Sequence, residues 1–344
     1  MEHSAADRPQ APREHGEAPL YGALDLGTNN CRLLLATPAA DGIRVIEAFS
    51  RVTRLGEGLA ATGVLSPDAI DRSLDALRQC AQRLQRRGVR RVRAVATEAC
   101  RRASNGEAFL HRVHMETGIR LETISAEDEA RLALTGCAPL LDRSRPYALV
   151  FDIGGGSTEL VKVRLGTGGN GTGTAATVEA LASLPVGVVT LAESEGTRLD
   201  TPEGYAAITG RLVETFRPFE RQAGLEPVAA GGGLHLLGTS GTVTTLAGVH
   251  LDLLRYDRSQ VDGLVLDFDD VAAVSRRLAR ATHAERASIP CVGDGRADLV
   301  VAGCAILEAI CRLWPAGRLT VADRGVREGV LLSMMQADRM AGKA

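Results

Sequence analysis

The sequence carries one short pattern twice. Asp25-Leu-Gly-Thr-Asn and Asp152-Ile-Gly-Gly-Gly-Ser-Thr each close an apolar run of strand character, Tyr21 to Leu26 in the first case and Ala148 to Ile153 in the second. Another such run follows each of them, Cys31 to Ala36 and Thr158 to Val163, so both read as a strand, a tight turn and a returning strand. A chain built from two copies of one unit folds into two lobes, and two lobes leave a cleft between them. The length of 344 residues, above the usual limit for one core, and the 45% hydrophobic content agree with two domains.

The rest of the pattern extends the duplication. A turn at Asp41-Gly42 and a third strand from Ile43 lead to a helix with complete signals: Ser66 as N-cap, Pro67 in first position, Asp68 in the first turn, and Gly88 as terminator. Its apolar residues Ile70, Leu74, Leu77, Ala81 and Leu84 recur at helical spacing. Val92 to Ala96 predicts a strand, Asn105 to Glu116 a helix, Leu121 to Ser125 a strand and Ala126 to Leu134 a helix, the order βββαβαβα. The second half repeats the three-strand opening with Thr177 to Leu184. It continues through helices near Pro202 to Phe216, Thr242 to Leu254, Asp269 to Ala281 and Asp298 to Leu313, a strand over Arg318 to Val321 and a closing helix over Val326 to Met340. That helix is expected to pack back on the first lobe, giving one domain of residues 20–138 plus 326–341 and a second of residues 146–325. Residues 1–19 read as a loose polar tail without the apolar core of a signal peptide, and Gly166 to Gly173 as a glycine-rich hairpin tip.

Charge and composition narrow the partners. A formal net charge of −2 and a pI near 6.4 argue against a general nucleic-acid binder, so no DNA partner is expected and any polyanion must be held by a focused site. Val300 to Cys311, the most apolar late stretch, is interrupted by Glu308 and falls far short of the ~20 residues that span a membrane. The seven cysteines show no CxxC pair and sit mostly in apolar stretches, as reduced structural thiols of a cytoplasmic protein would. None of the seven histidines has metal-ligand spacing. The basic run Arg83, Arg86, Arg87, Arg90, Arg91 and Arg93 is a solvated surface by default, with attraction of a polyanion as the sharper alternative.

The chemistry is concentrated in the turns. Glycine after a strand-end carboxylate lets backbone N–H groups approach an anion, because no Cβ obstructs it and φ > 0 is tolerated. For either aspartate alone, capping of the turn is an equal reading. Two such turns facing each other would hold one phosphate chain from both sides, with Asp25 and Asp152 close enough to bind Mg²⁺, directly or through water. Gly238-Thr239-Ser240-Gly241-Thr242 is a third candidate phosphate turn, opening a helix, or simply a strand-to-helix connection. Hydrolysis needs a carboxylate to activate water. Glu127, Asp128 and Glu129 are candidates at the start of a helix, where all three could equally do no more than favour its dipole.

In these segments the sequence resembles the exopolyphosphatase and guanosine pentaphosphate phosphohydrolase (Ppx/GppA) family. The resemblance is carried by ALDLGTNNCRLLLA (23–36), RLGEGL (54–59), AVATEACRRASNG (94–106), ISAEDEARLALTG (124–136), FDIGGGSTELV (151–161), LPVGVVTL (184–191), GTSGT (238–242), YDRSQVDG (256–263) and ADRGVREGVL (322–331). It implies an α/β fold of two duplicated actin-like domains, of the sugar kinase, Hsp70 and ribonuclease H-like type, with an interdomain cleft. It implies release of orthophosphate from inorganic polyphosphate, or conversion of guanosine pentaphosphate to the tetraphosphate of the stringent response, with Mg²⁺ and Mn²⁺ as the candidate ions and a homodimer as a common assembly. The catalytic base falls on Glu129. The phosphate loops fall on Gly27, Thr28 and Asn29 and on Gly154, Gly155, Gly156, Ser157 and Thr158. Thr97, Arg101, Gly238, Ser240, Gly241 and Thr242 stand beside them, and Asp25, Asp152 and Glu159 near the metal.

The sequence departs from the family in two ways. Longer members add C-terminal helical domains, one of HD type, whereas this sequence ends at Ala344, which favours short chains or guanosine pentaphosphate over processive degradation. Glu98 stands where many relatives have a small or polar residue, and facing the cleft it would weaken anion binding. An alarmone-binding regulator with little turnover, and an ATPase or kinase of the same fold, are the alternatives to hydrolysis.

Overall fold

The computed structural model describes residues 18–40, 42–166 and 176–342. The expected tail, apart from its last two residues, and the glycine-rich tip after Gly166 lie outside the described residues, as does Asp41 of the first hairpin.

The first half begins with the three strands β1 (Tyr21–Leu26), β2 (Asn30–Ala39) and β3 (Gly42–Val52). There follow α1 (Leu59–Thr62), α2 (Pro67–Arg86), β4 (Arg91–Ala96), α3 (Glu98–Arg102), α4 (Gly106–Thr117), β5 (Leu121–Thr123) and α5 (Ala126–Cys137). The sheet order is β3-β2-β1-β4-β5; β1 runs antiparallel to β2 and parallel to β4. The second half opens with β6 (Tyr147–Ile153), β7 (Thr158–Arg164) and β8 (Thr177–Leu184), followed by α6 (Val188–Glu195), α7 (Pro202–Ala223), α8 (Glu226–Ala230), β9 (Leu234–Thr239) and α9 (Ser240–His250). It continues through α10 (Arg258–Val261), β10 (Val265–Asp267), α11 (Phe268–Arg280), α12 (His283–Ser288), α13 (Val300–Leu313), β11 (Arg318–Ala322) and α14 (Val326–Met340). Its sheet order is β10-β11-β9-β6-β7-β8, with β6 antiparallel to β7 and parallel to β9. Two mixed sheets, each with an antiparallel three-strand meander joined to parallel strands, form the duplicated actin-like architecture.

The local reasons are the expected ones where the signals are strong. Ser66 accepts from the Ala69 N–H and Pro67 opens α2, which buries Leu74, Leu77, Cys80 and Leu84 against the first sheet. Helix α7 runs past Phe216 to Ala223, through Pro218, because Phe219 and Ala223 still find buried places beside Trp314 and the second sheet. Helix α9 starts at Ser240, earlier than expected, and α13 at Val300, later. All seven cysteines are buried and unpaired. Much of the basic run is neutralised: Arg83 and Arg87 share Glu47, Arg91 pairs with Asp338 and Arg93 with Glu122, which is the solvated-surface reading. Among the described residues no helix is long and apolar enough to cross a membrane.

Helix α14 leaves the second sheet and packs on α5 and β1 of the first, burying Val326, Val330, Leu331 and Met335 with Tyr21, Ala23 and Leu132. The crossing is backbone on backbone. A Cβ at Gly136 of α5 would lie 2.1 Å from the Gly325 carbonyl oxygen, and one at Gly329 of α14 would lie 2.0 Å from that of Leu132. Neither oxygen can retreat, so Gly329→Ala must part the helices. It should cost about 1–3 kcal/mol, read as a lower urea midpoint with unchanged slope, whereas Ala at the open position Gly210, where nothing lies within 4 Å, should leave the midpoint near wild type.

Candidate active site in the interlobe cleft

The strand registers build two equivalent hairpins. In the first, Asp25 pairs with Arg32 across β1 and β2; in the second, Asp152 pairs with Glu159 across β6 and β7. Each turn is closed by the same bond, Gly27 N–H to the Asn30 carbonyl and Gly154 N–H to the Ser157 carbonyl, both 2.9 Å. The hairpins meet tip to tip. A Cβ at Gly155 would stand 2.9 Å from Thr28 Cβ and 3.2 Å from the Asn29 nitrogen, and one at Gly156 would stand 2.8 Å from Glu98 Cγ. Gly187 supports the second turn from behind, where a Cβ would come within 2.4 Å of the Gly155 carbonyl group.

A third turn enters at Ser240, held at φ 86 in the left-handed region, where a non-glycine residue is strained. Its Oγ donates to the Ile153 carbonyl at 2.6 Å, tying α9 to the second hairpin. The lining of the resulting cavity, about 120 Å³ in volume, includes Asp25, Gly27, Thr28, Asn29, Thr97, Glu129, Asp152, Gly154, Gly155, Gly156, Ser157, Ser240, Gly241 and Thr242. The cleft thus assembles fourteen of the expected residues.

The three acids that open α5 separate by environment. Glu127 pairs with Arg131 on the surface, and exposed Asp128 donates its N–H to Ser125 Oγ, the N-cap contact. Glu129 turns into the cleft with its side chain 14% exposed, and Arg101 Nη1 donates to its Oε2 at 3.2 Å. Burial first, then Glu159, pushes the Glu129 carboxyl well above the ordinary range. Burial also raises Asp25, takes Asp152 up to about 6, and, with Asp152 adding to it, takes Glu159 up to about 7.

Four expected residues stand outside the cavity lining. Glu159 lies behind the second turn, accepting from Ser157 Oγ at 2.7 Å and Ser183 Oγ at 2.8 Å. Thr158 spends its hydroxyl on the Val186 carbonyl. Gly238 is a packing glycine: a Cβ there would strike the Phe151 ring at 2.4 Å. Arg101 is occupied by Glu98, Glu129 and the Ile124 carbonyl.

Sequence reasoning missed Arg32 and Arg296. Both line the cavity and an adjoining chamber of about 680 Å³ that also receives Arg258, Arg324 and Arg327. Among the described residues neither has a carboxylate within ion-pair distance; Arg296 donates to Thr245 Oγ1 at 2.8 Å, and burial, then Arg32, holds it below its ordinary pKa. Unpaired guanidinium groups that repel each other mark a place for an anion. Arg32 was legible through the duplication, at the same offset from Asp25 as Glu159 from Asp152. Arg296, at the end of a single 3₁₀ turn (Asp294–Arg296), had no such signal.

The acidic side suits a hard cation. The buried side-chain oxygens Asn29 Oδ1 and Asn30 Oδ1 have no hydrogen-bond partner, and they stand beside mutually repelling carboxylates. Among the described residues no group of three or more His, Cys, Asp or Glu side chains is placed to hold a metal ion by itself. That donor set fits Mg²⁺, which keeps several waters and shares substrate phosphates, rather than zinc.

Fold and cleft together define a two-lobed protein of the actin-like class with facing glycine turns. Residues 35–338 match the model of the Ppx/GppA phosphatase family, and the chain belongs to that family. It is 32% identical over 327 residues to exopolyphosphatase 2 of Mycobacterium tuberculosis, covering 91% of this chain and 97% of that one. It is 31% identical to the guanosine-5'-triphosphate,3'-diphosphate pyrophosphatase of Vibrio parahaemolyticus, covering 93% of this chain and 60% of the relative. Among solved structures it resembles the Aquifex aeolicus family member at TM-score 0.72 with 30% identity, covering 93% of this chain and 98% of that one. It resembles a Cytophaga hutchinsonii exopolyphosphatase at TM-score 0.81 with 25% identity, covering 92% and 98%.

The raised carboxyls fix a pH dependence. An acid whose pKa is raised by folding favours the folded state below its unfolded value and withdraws that support as pH climbs through the folded value. From ordinary values of 3.8 for Asp152 and 4.5 for Glu159 to about 6 and 7, the window is pH 4 to 7. The melting temperature of the ligand-free protein should therefore fall across this window relative to Asp152→Asn, and Mg²⁺ should restore part of the loss at pH 7.

Proposed function

We propose that this protein is a Mg²⁺-dependent phosphohydrolase that releases orthophosphate from the end of inorganic polyphosphate or converts guanosine pentaphosphate to the tetraphosphate. The observation that carries the reading is Glu129, a buried carboxylate of raised basicity in the same cavity as the two glycine turns. Relatives with both substrate names lie at similar identity, and the first of them is matched almost end to end.

In this mechanism the N–H groups of the turns at Thr28–Asn29 and Gly155–Ser157, with Thr97, Ser240, Gly241 and Thr242, orient the terminal phosphoryl group. Arg32 and Arg296 take the phosphates that continue into the larger chamber. Asp25 and Asp152, with the Glu159 charge behind the second turn, would hold Mg²⁺, which when bound would neutralise phosphate charge. Glu129 holds a water and accepts its proton during in-line attack, and the chain leaves shortened by one phosphate. Gly238 and Thr158 are assigned packing roles and Arg101 a role at Glu129. Buried, unpaired thiols support a reducing, cytoplasmic location. The packing of α14 supports a first domain of residues 20–138 plus 326–341 and a second of residues 146–325.

The test is phosphate release from short polyphosphate, long polyphosphate and guanosine pentaphosphate. Glu129→Gln should lower turnover by ~10²–10⁴ with tripolyphosphate still bound, and EDTA should abolish release. Undiminished release by Glu129→Gln would reject the assignment, and binding of guanosine pentaphosphate without release from any substrate would favour an alarmone-binding regulator.

A further inference from the structure

Arg101 has a shaped set of partners that leaves little of it for a ligand. Nη2 donates to Glu98 Oε2 at 2.8 Å, while Nη1 donates to the Ile124 carbonyl at 2.7 Å and to Glu129 Oε2 at 3.2 Å. Both ends of the planar fork are used, and Glu98 and Glu129 are similarly buried, with side chains 13% and 14% exposed. Among the described residues Arg101 is the side chain that bonds Glu129, so its position sets where that carboxylate points.

Glu98 is confined from the other lobe. It sits in the first turn of α3, and its Cγ lies so close to Gly156 that an added Cβ there would be 2.8 Å away. The second glycine turn therefore closes off the space into which the Glu98 side chain would otherwise swing. Glu98 lines the cleft and Arg101 does not, so an incoming phosphate meets the acid before it could meet the arginine.

We propose that Glu98 is a positioning residue that keeps Arg101 on Glu129 and off the substrate phosphates, so that the contact of the Gly156 turn with Glu98 also aims the base. This rests on the hydrolytic reading above. The clamp costs something in binding, because a carboxylate faces the anion, and returns it in the geometry of the attacking water. A displacement of a reacting group by about 1 Å is worth roughly 10²-fold in rate.

The experiment measures kcat and KM for tripolyphosphate hydrolysis with Mg²⁺ in wild type, Glu98→Ala, Glu98→Gln and Glu129→Gln, with a thermal melt of each. Glu98→Ala should lose roughly 10²-fold in kcat with KM unchanged or lower, since Arg101 becomes free to reach phosphate. Glu98→Gln, which keeps a carbonyl oxygen as acceptor in the same place, should recover most of kcat. A fall in KM with wild-type kcat in Glu98→Ala would mean that Glu98 only repels anions. Equal losses in the Ala and Gln variants would make its charge, not its geometry, the cause, and loss confined to melting temperature would leave it a structural residue. Each of these three overturns the proposal. An inactive wild type would instead remove the hydrolytic reading, whereas an active wild type with a dead Glu129→Gln and a normal Glu98→Ala would remove only this inference.

Discussion

Four carboxylates with raised pKa values, Asp25, Asp152, Glu159 and Glu129, are gathered in or against one buried cleft, and everything else about the site answers to that concentration of charge. Burial disfavours each ionised form, and the neighbours add repulsion: Asp25 on Asp152, Asp152 on Glu159, and Glu159 on Glu129. Arg32 offsets part of it, lowering both Asp25 and Asp152. In the proposed reaction a divalent cation brought in with phosphate oxygens would offset the remainder. Burial and the same repulsion that weaken the cleft at neutral pH raise the basicity of Glu129, so stability and the proposed capacity to take a proton from water are opposed in one set of side chains.

Holding such a cleft shut requires contacts that do not depend on charge. They are made by glycine. The hairpin tips touch at Gly155 and Thr28, Gly187 lies against the Gly155 carbonyl, and α5 and α14 cross with Gly136 and Gly329 at the contact. Around them, Arg54 pairs with Asp298 and the Gly58 N–H donates to Glu193 at 2.9 Å, polar contacts between the two halves that solvent can compete for. Backbone contact at van der Waals distance has no such softness, which is why a methyl group at several of these places must move a helix or a turn.

What could be read from the sequence was local or repeated. The α2 helix announced itself through Ser66, Pro67 and its apolar spacing, and the duplicated Asp-Gly turns gave both hairpins and their opposition. Glu129 could not be separated from Glu127 and Asp128 by their types, since all three suit a helix N-terminus; what separates them is that one faces the cleft, a consequence of α14 packing on α5. Gly238 and Gly241 look alike in a glycine-threonine-serine run, but the first faces Phe151 and the second faces the cavity, a distinction set by β9 pairing with β6. Arg296 comes from a loop between α12 and α13, where no period exists to predict which way a side chain points.

Duplication supplies the frame, and its imperfection supplies direction. At the equivalent cross-strand position one hairpin carries Arg32 and the other Glu159, so two nearly identical turns face each other with opposite charge behind them. Arg32 and Arg296 line both the cavity that holds Glu129 and the larger chamber, where Arg258 and Arg324 are already paired with Glu328 and Asp262. A symmetric cleft would bind a phosphate chain in either sense and place its end indifferently. On the proposed reading, the end of a chain that carries a cation would lie with the acids and its following phosphates toward Arg32 and Arg296, so the fold would orient the chain before any group reacts.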